Sequence, residues 1–374
     1  MPDEAPPRGW PPGFGSGPDE RRAILTLSEL RGLRPLSLHA AAWRTGSAEG
    51  CVAAVRAGDL GSARDRRWLE RLDPSVTEAA VERTGARFVT PADTEYEDGL
   101  NELRDPPAGL FMLGRPLGDR RDRVAIVGAR RCSSLGRDVA EDLARALVAS
   151  GLGVASGAAH GIDAAAHRGA LQAAGRTVAV LGSGIDVHYP AGNRDLIARI
   201  VQSGTVVSEY PPGVPAEPQR FPARNRLVVA LARALVVVEG AAKSGSRISV
   251  DHALDLGREV FAVPGPVNSP LAETPLELIR DGATLIRGAD DLLNDLGVDP
   301  SAPPPPPPDL DDGERRIWRA LSVVSLPDAI AREARMAIPD AVTTLIQLEL
   351  RGLIVSQGGR YERRHARAAV SVPP

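Results

Sequence analysis

The sequence predicts an α/β protein: a core built on a Rossmann-like parallel sheet, preceded by a small helical, SAM-like module and followed by a winged-helix domain. Three observations predict it. Between residues 123 and 265, short apolar runs each end in a small-residue turn: 124–127 into Gly128-Ala129-Arg130, 153–155 into Ser156-Gly157, 178–181 into Gly182-Ser183-Gly184, and 235–239 into 240–246. Unbroken Val/Leu/Ile runs alternating with helical stretches are the pattern of a parallel sheet covered on both faces. Ahead of that region the periodicity is that of short helices alone. Behind it, an unbroken proline run at 303–308 sets off three further helices and a β-wing.

Along the chain, residues 1–18 are rich in Pro, Gly and charge and read as a disordered tail. Residues 19–86 form the helical module, with helices expected at 23–30, 36–43, 51–56, 63–72 and 76–84. Its charges are closely balanced, and Gly32-Leu33-Arg34 lacks the second glycine of a helix-hairpin-helix turn, so packing or docking is its expected role. The core spans 87–297. It opens with candidate strands at 88–89 and 111–113 around Asp105-Pro106-Pro107. The four apolar runs then alternate with helices at 136–150, 160–174, 192–203, 221–233 and 246–257, and a further strand is expected at 259–263. The linker, 298–309, is extended and semi-rigid. In the winged-helix (DML1-like) domain, 310–366, helices at 312–322, 327–335 and 339–351 precede a wing at 352–361. Residues 367–374 are a tail.

Composition limits function. The chain has 374 residues, enough for two or three domains, and a formal net charge of -3. A protein coated with positive charge is thereby excluded, so any nucleic-acid site is local. Lys243 is the single lysine of an arginine- and alanine-rich chain, a usage that a G+C-rich genome produces. Cys51 and Cys132 lie outside any CxxC and read as reduced thiols of a cytoplasmic protein. No export signal or membrane span is expected, because the most apolar stretch, 227–238, is interrupted by Arg233.

Turns that follow successive parallel strands open on one crevice at the carboxyl ends of those strands. They expose backbone N–H groups, several beside helix N-termini, and so favour phosphate. The expected DNA-binding set is Gly128 and Arg130; Ser156, Gly157 and His160; Gly182, Ser183 and Gly184; Phe221, Arg224, Asn225 and Arg226; and Lys243, Ser244, Gly245, Ser246 and Arg247. Several phosphate sites and several guanidinium forks exceed the need of one mononucleotide, so a polymer of phosphates is the expected ligand. Phe221 is the expected stacking ring, while Tyr189-Pro190 and Tyr210-Pro211 read as loop formers. The chain has no G-x-x-x-x-G-K-[ST], no full G-x-G-x-x-G, no H-E-x-x-H and no G-x-S-x-G. Asp163 and His167, four apart on a helical face, are a candidate acid–base dyad; the alternative is a helix cap with a packing partner. No cluster has metal-ligand spacing, and neither metal nor cofactor is expected.

The ordered run Val127-Gly128-Ala129-Arg130, 156–163, Ala166-His167, 182–186, Tyr189-Pro190, Ser208-Glu209, 221–226, 244–246 and 263–265 resembles the DNA-processing protein A (DprA/Smf) family over about residues 96–296. That resemblance implies a homodimeric, non-enzymatic recombination mediator of natural transformation. It would bind single-stranded DNA and load the RecA recombinase, with single-strand binding protein as a further partner. It also implies self-association, for which Leu276, Leu278, Ile279, Leu285 and Ile286 are candidates. Three positions depart from the family pattern: His160 replaces an arginine, Ala223 a frequent basic residue, and Thr274-Pro275-Leu276 a G-T-N. The alternative is a Rossmann-like nucleotide phosphoribohydrolase, whose P-G-G-x-G-T-x-x-E loop has no counterpart here.

Overall fold

The computed structural model describes residues 6–242, 244–298, 310–321, 326–351, 353–357 and 359–363. Five helices form the amino-terminal module: α1 (Gly17–Ser28), α2 (Pro35–Thr45), α3 (Ala48–Ala57), α4 (Ala63–Leu69) and α5 (Pro74–Thr84). Their starts are marked chemically. Proline opens α1, α2 and α5, where a missing N–H is harmless; Ser47 caps α3; and Ser62 and Asp65 cap α4 reciprocally. Their apolar faces meet through Ile24, Leu27, Ala41, Cys51 and Val55.

Residues 6–16, expected as part of a disordered tail, pack instead. Trp10 stacks on Phe14 with 4.3 Å between ring centroids, Phe14 is buried, and the Gly9 carbonyl accepts from Trp43 Nε1 at 3.0 Å. Two aromatic rings supply the apolar area that a Pro/Gly-rich composition conceals.

The core is a nine-stranded sheet: β1 (Arg87–Val89), β2 (Leu110–Gly114), β3 (Arg123–Val127), β4 (Gly153–Ser156), β5 (Thr177–Leu181), β6 (Thr205–Ser208), β7 (Ala234–Val237), β8 (Glu259–Ala262) and β9 (Thr284–Leu285). The strand order is β1-β2-β6-β5-β4-β3-β7-β8-β9. All neighbours are parallel except β1/β2 and β2/β6. The chain therefore builds outward from β3 to β6 and returns beside β3 with β7. The topological switch point lies between β3 and β7.

Between β1 and β2 lies the short α6 (Asp98–Asn101). The crossover helices are α7 (Ser134–Ala149), α8 (Ile162–Gln172), α9 (Arg194–Ser203), α10 (Arg220–Ala230), α11 (Ser246–Asp255) and α12 (Glu273–Arg280), and α13 (Ala289–Asp295) follows the last strand. Side chains of β3 alternate between two buried layers. Val124 and Ile126 face Leu143, Leu147 and Ile162 of α7 and α8, while Ala125 and Val127 face Leu227, Val250 and Leu278 of α10–α12. This double cover makes the strands read as continuous apolar runs. Strands β6 and β9 and helices α6, α12 and α13 were not expected; β6 offers only Val206-Val207 between polar residues, too short a run to mark a strand. Leu278 and Ile286 are 5% and 0% exposed, so they close the two core layers and do not form an apolar surface patch.

The carboxyl-terminal domain contains α14 (Asp312–Ala320), α15 (Pro327–Glu333), α16 (Ile338–Leu350) and the antiparallel wing of β10 (Ile354–Gln357) and β11 (Arg360–Arg363). Ile317, Ile330, Leu345 and Leu348 form its core. Among the described residues no helix is long and apolar enough to cross a membrane.

Candidate nucleic-acid interface

At the carboxyl edge of the sheet, beside the switch point, the turns after β3 and β4 and the start of α8 enclose a cavity of about 580 Å³. Arg130, Arg131, Arg137, Arg168, His160 and Asn193 line it. Arg168 is paired with Glu141 at 3.0 Å. Arg130, Arg131, Arg137 and His160 are exposed and form no ion pair among the described residues, although Asp163 lies near enough to feel the charge of Arg130. The Arg130 guanidinium stands 5.0 Å over the Phe221 ring, and Phe221 lies 5.1 Å from Tyr189, whose ring is 47% exposed. Guanidinium, ring and ring thus form one continuous surface.

Close backbone approach builds this edge. Gly161 sits at φ +76°, a conformation glycine adopts without strain, and any Cβ there would strike the Ala129 carbonyl. Ile162 N donates to that carbonyl at 3.2 Å, and Asn193 Nδ2 donates to Ala158 O at 2.9 Å and Ala159 O at 3.2 Å. Gly182 gives room for Phe221, since a Cβ there would lie 2.9 Å from the ring.

The expected site residues divide sharply. Arg130, His160 and Phe221 come together at the cavity. Arg224 and Arg226, expected as free forks, are each 3% exposed. Arg224 reaches inward to the Val180 carbonyl and lies against Gly157, and burial pushes its pKa down to about 10 despite Asp163. Arg226 grips Glu209 bidentately at 2.9 and 2.8 Å and Asp105 at 3.0 Å. Burial opposes its charge, but Glu209 and Asp105 outweigh that and hold it firmly cationic. Arg247 is taken by Glu277 at 2.8 Å and Asp281 at 3.6 Å.

The small residues are also committed to the fold. Ser156 Oγ donates to Ile126 O, Ser183 Oγ to Val187 O, and Asn225 Nδ2 to Gly245 O at 3.2 Å; Ser244 and Ser246 pair at 2.7 Å. Gly128 packs against Ile162 and Gly184 against Pro211. Gly245 is exposed. Lys243 lies outside the described residues. The amino terminus of α7, a natural phosphate seat, is filled from within: the Glu239 carboxylate accepts from Ser133 N at 2.9 Å and from Ser133 Oγ at 2.6 Å.

Arg131 was left out of the expected set although it lies in the same turn as Arg130, Tyr189 was read as a loop former, and Arg137 and Glu239 were not singled out. Arg131 directly follows Arg130 in the turn, and Arg137 lies one turn into α7; that spacing was the available signal for both. Glu239 gave none.

Asp163 and His167 do not pair. Asp163 accepts from Ala159 N at 3.4 Å, and burial, opposed by Arg224, raises its pKa. His167 is fully buried, with Nδ1 2.7 Å from Thr177 Oγ1, and burial beside Arg224 and Arg168 pushes its pKa down to about 3. His167 is the packing group of the alternative, but Asp163 is not a helix cap: Gly161 holds that position without a side-chain cap bond, and Asp163 ties down the preceding turn instead. An unfolded histidine takes its proton near pH ~6.5, whereas His167 in the fold resists until about 3. Acid therefore favours unfolding within that window by roughly 1.4 kcal/mol per pH unit. His167→Asn should flatten the loss of stability between about pH 6 and about pH 4 in denaturation titrations; an unchanged slope would mean that His167 protonates inside the fold.

The family model described as DNA recombination-mediator protein A matches residues 87–297, and that of the DprA winged helix domain matches residues 300–360. The chain belongs to the DNA recombination-mediator protein A (DprA/Smf) family. A DprA protein of Mycobacterium tuberculosis is 39% identical over 336 residues, covering 82% of this chain and 85% of its own length. Among solved DprA structures, that of Streptococcus pneumoniae superposes with a TM-score of 0.60 at 31% identity, covering 72% of this chain and 95% of that one. DprA of Helicobacter pylori, whose structure describes a single-stranded DNA binding mode, superposes with a TM-score of 0.51 at 31% identity, covering 56% of this chain and 95% of that one.

Proposed function

We propose that the protein is a non-catalytic recombination mediator that binds single-stranded DNA across the Arg130 cavity. As a cytoplasmic homodimer it loads the RecA recombinase onto strands released from single-strand binding protein, in natural transformation and recombination. One observation carries this reading: among the described residues, Arg130, Arg131 and Arg137 line one cavity without ion-pair partners, beside half-buried Phe221 and exposed Tyr189. Guanidiniums left unneutralised in a concavity suit phosphates, and adjoining rings suit unpaired bases. The single-strand binding described for the Helicobacter pylori relative supports the same ligand. Sequestration of Asp163 and His167 in separate hydrogen bonds supports a role without bond-breaking chemistry.

The test is a titration of the full chain with single-stranded and duplex oligonucleotides, with and without ATP. Tight single-strand binding indifferent to ATP is expected, and recombinase filaments should form faster on coated strands when the protein is present. Preference for duplex, or release of free base from a nucleoside monophosphate, would overturn the reading. A further outcome concerns His160, which lines the cavity. Arginine is charged at every working pH and histidine is not. His160→Arg should tighten single-strand binding at pH 8 by roughly threefold to tenfold at low salt; equal affinities would place His160 outside the contact.

A further inference from the structure

The amino-terminal module carries an arginine and tryptophan face that its packing does not explain. Ser62 and Asp65 fix the start of α4, and Arg71 N donates to Trp68 O at 3.0 Å, which continues the turn beyond Leu69. Residues 64, 67, 68 and 71 therefore share one face at spacings of three and four. All four are exposed, and the three arginines have no carboxylate partner among the described residues. Arg64 stands near one carboxylate, Asp65, but forms no ion pair with it. Asp65 is 2% exposed and accepts from Gly32 N at 2.9 Å as well as from Ser62, Asp73 is held by Ser75, and exposed Glu70 makes no ion pair among the described residues.

Trp68 is the exception among the four tryptophans. Trp10 stacks on Phe14, Trp43 donates to Gly9 O, and Trp318 is buried, whereas Trp68 is 49% exposed. A large flat ring left in water between guanidiniums is the composition of a stacking platform: the ring takes a base face and the arginines take the flanking phosphates. Duplex DNA offers no free base face, and an acidic protein surface would engage the arginines without needing the ring.

We propose that Trp68, with Arg64, Arg67 and Arg71, is a second contact for single-stranded nucleic acid that lengthens the track begun at the core cavity. This inference rests on the function proposed above. It would add to the packing or docking role expected of the module, in which the Gly32 amide is occupied by Asp65.

The experiment measures affinity of the full chain for oligothymidylates of roughly 8 and roughly 40 nucleotides, lengths that one site and an extended track would respectively require. Trp68→Ala and the triple variant Arg64→Gln/Arg67→Gln/Arg71→Gln should each weaken the long strand about tenfold and the short strand less than about twofold. Trp68→Phe should retain most of the affinity, and 4-thiothymidine in the long strand should photo-crosslink to Trp68. Unchanged affinity at both lengths, or equal loss at both, would overturn the platform. Sensitivity to the arginine changes but not to Trp68→Ala would assign the face to an acidic partner. Wild-type protein that binds neither length would sink the core reading itself, whereas intact binding that depends only on Arg130, Arg131 and Arg137 would sink the platform alone.

Discussion

Replacing Arg226 by alanine is expected to destabilise the core by about 3–5 kcal/mol, because it strands charges that were buried as a network. Glu209 and Asp105 both depend on this one guanidinium, which is 3% exposed and bonded to each of them. Glu209 directly follows β6 and Asp105 precedes β2, so the arginine of α10 ties the antiparallel margin of the sheet to the helical layer. Chemical denaturation should show the midpoint falling with the slope unchanged. Arg226→Lys should recover only part of the loss, since a point charge cannot reproduce the bidentate fork. Whatever fraction remains folded should bind single-stranded DNA as the parent does. A variant of parental stability that binds weakly would return Arg226 to the interface.

The opposite pattern is expected for Arg130→Gln/Arg131→Gln/Arg137→Gln. These side chains are exposed and form no ion pair among the described residues, and the Arg130–Phe221 contact is worth only about 0.5–1 kcal/mol at an exposed site, so their removal should change the melting temperature little. Single-strand affinity should fall by about a hundredfold or more at 0.1 M salt, and the log–log salt slope should flatten by about 2 as three phosphate contacts are lost. The loss should be similar for different base sequences, because phosphate contacts carry no base information. An unchanged salt slope would move the binding surface elsewhere on the molecule.

The comparison between these two variants also marks what the sequence made legible. The parallel core could be read because double-sided burial writes β3, β4, β5 and β7 as unbroken apolar runs. Strand β6 could not: its two valines, Val206 and Val207, stand between Thr205 and Ser208, too short an apolar run. The position of the site followed from topology, since turns after parallel strands must share an edge. Which arginines face outward did not follow, because Arg130 and Arg226 look alike in one dimension. Their difference lies in partners supplied from 17 and 121 residues away, Glu209 and Asp105, which no local pattern announces. Phe14 and Trp10 were hidden in the same way within a segment whose prolines and glycines dominated its composition.

Glu239 makes this sheet its own competitor. In a mononucleotide-binding Rossmann fold the amide groups opening the helix after the first parallel strand receive a phosphate. Here a carboxylate tethered at the end of β7 holds that seat, and Gly136 lets it nestle against the helix. A covalently attached rival acts at an effective concentration of roughly millimolar or above. A free nucleotide, with one or two phosphates to offer, must first evict it. In the function proposed above, a strand along the outer rim would face no such contest, because its phosphates would meet Arg130, Arg131 and Arg137 outside that seat. Indifference to ATP, expected above, would then follow from intramolecular occupancy of that seat by a single acidic side chain.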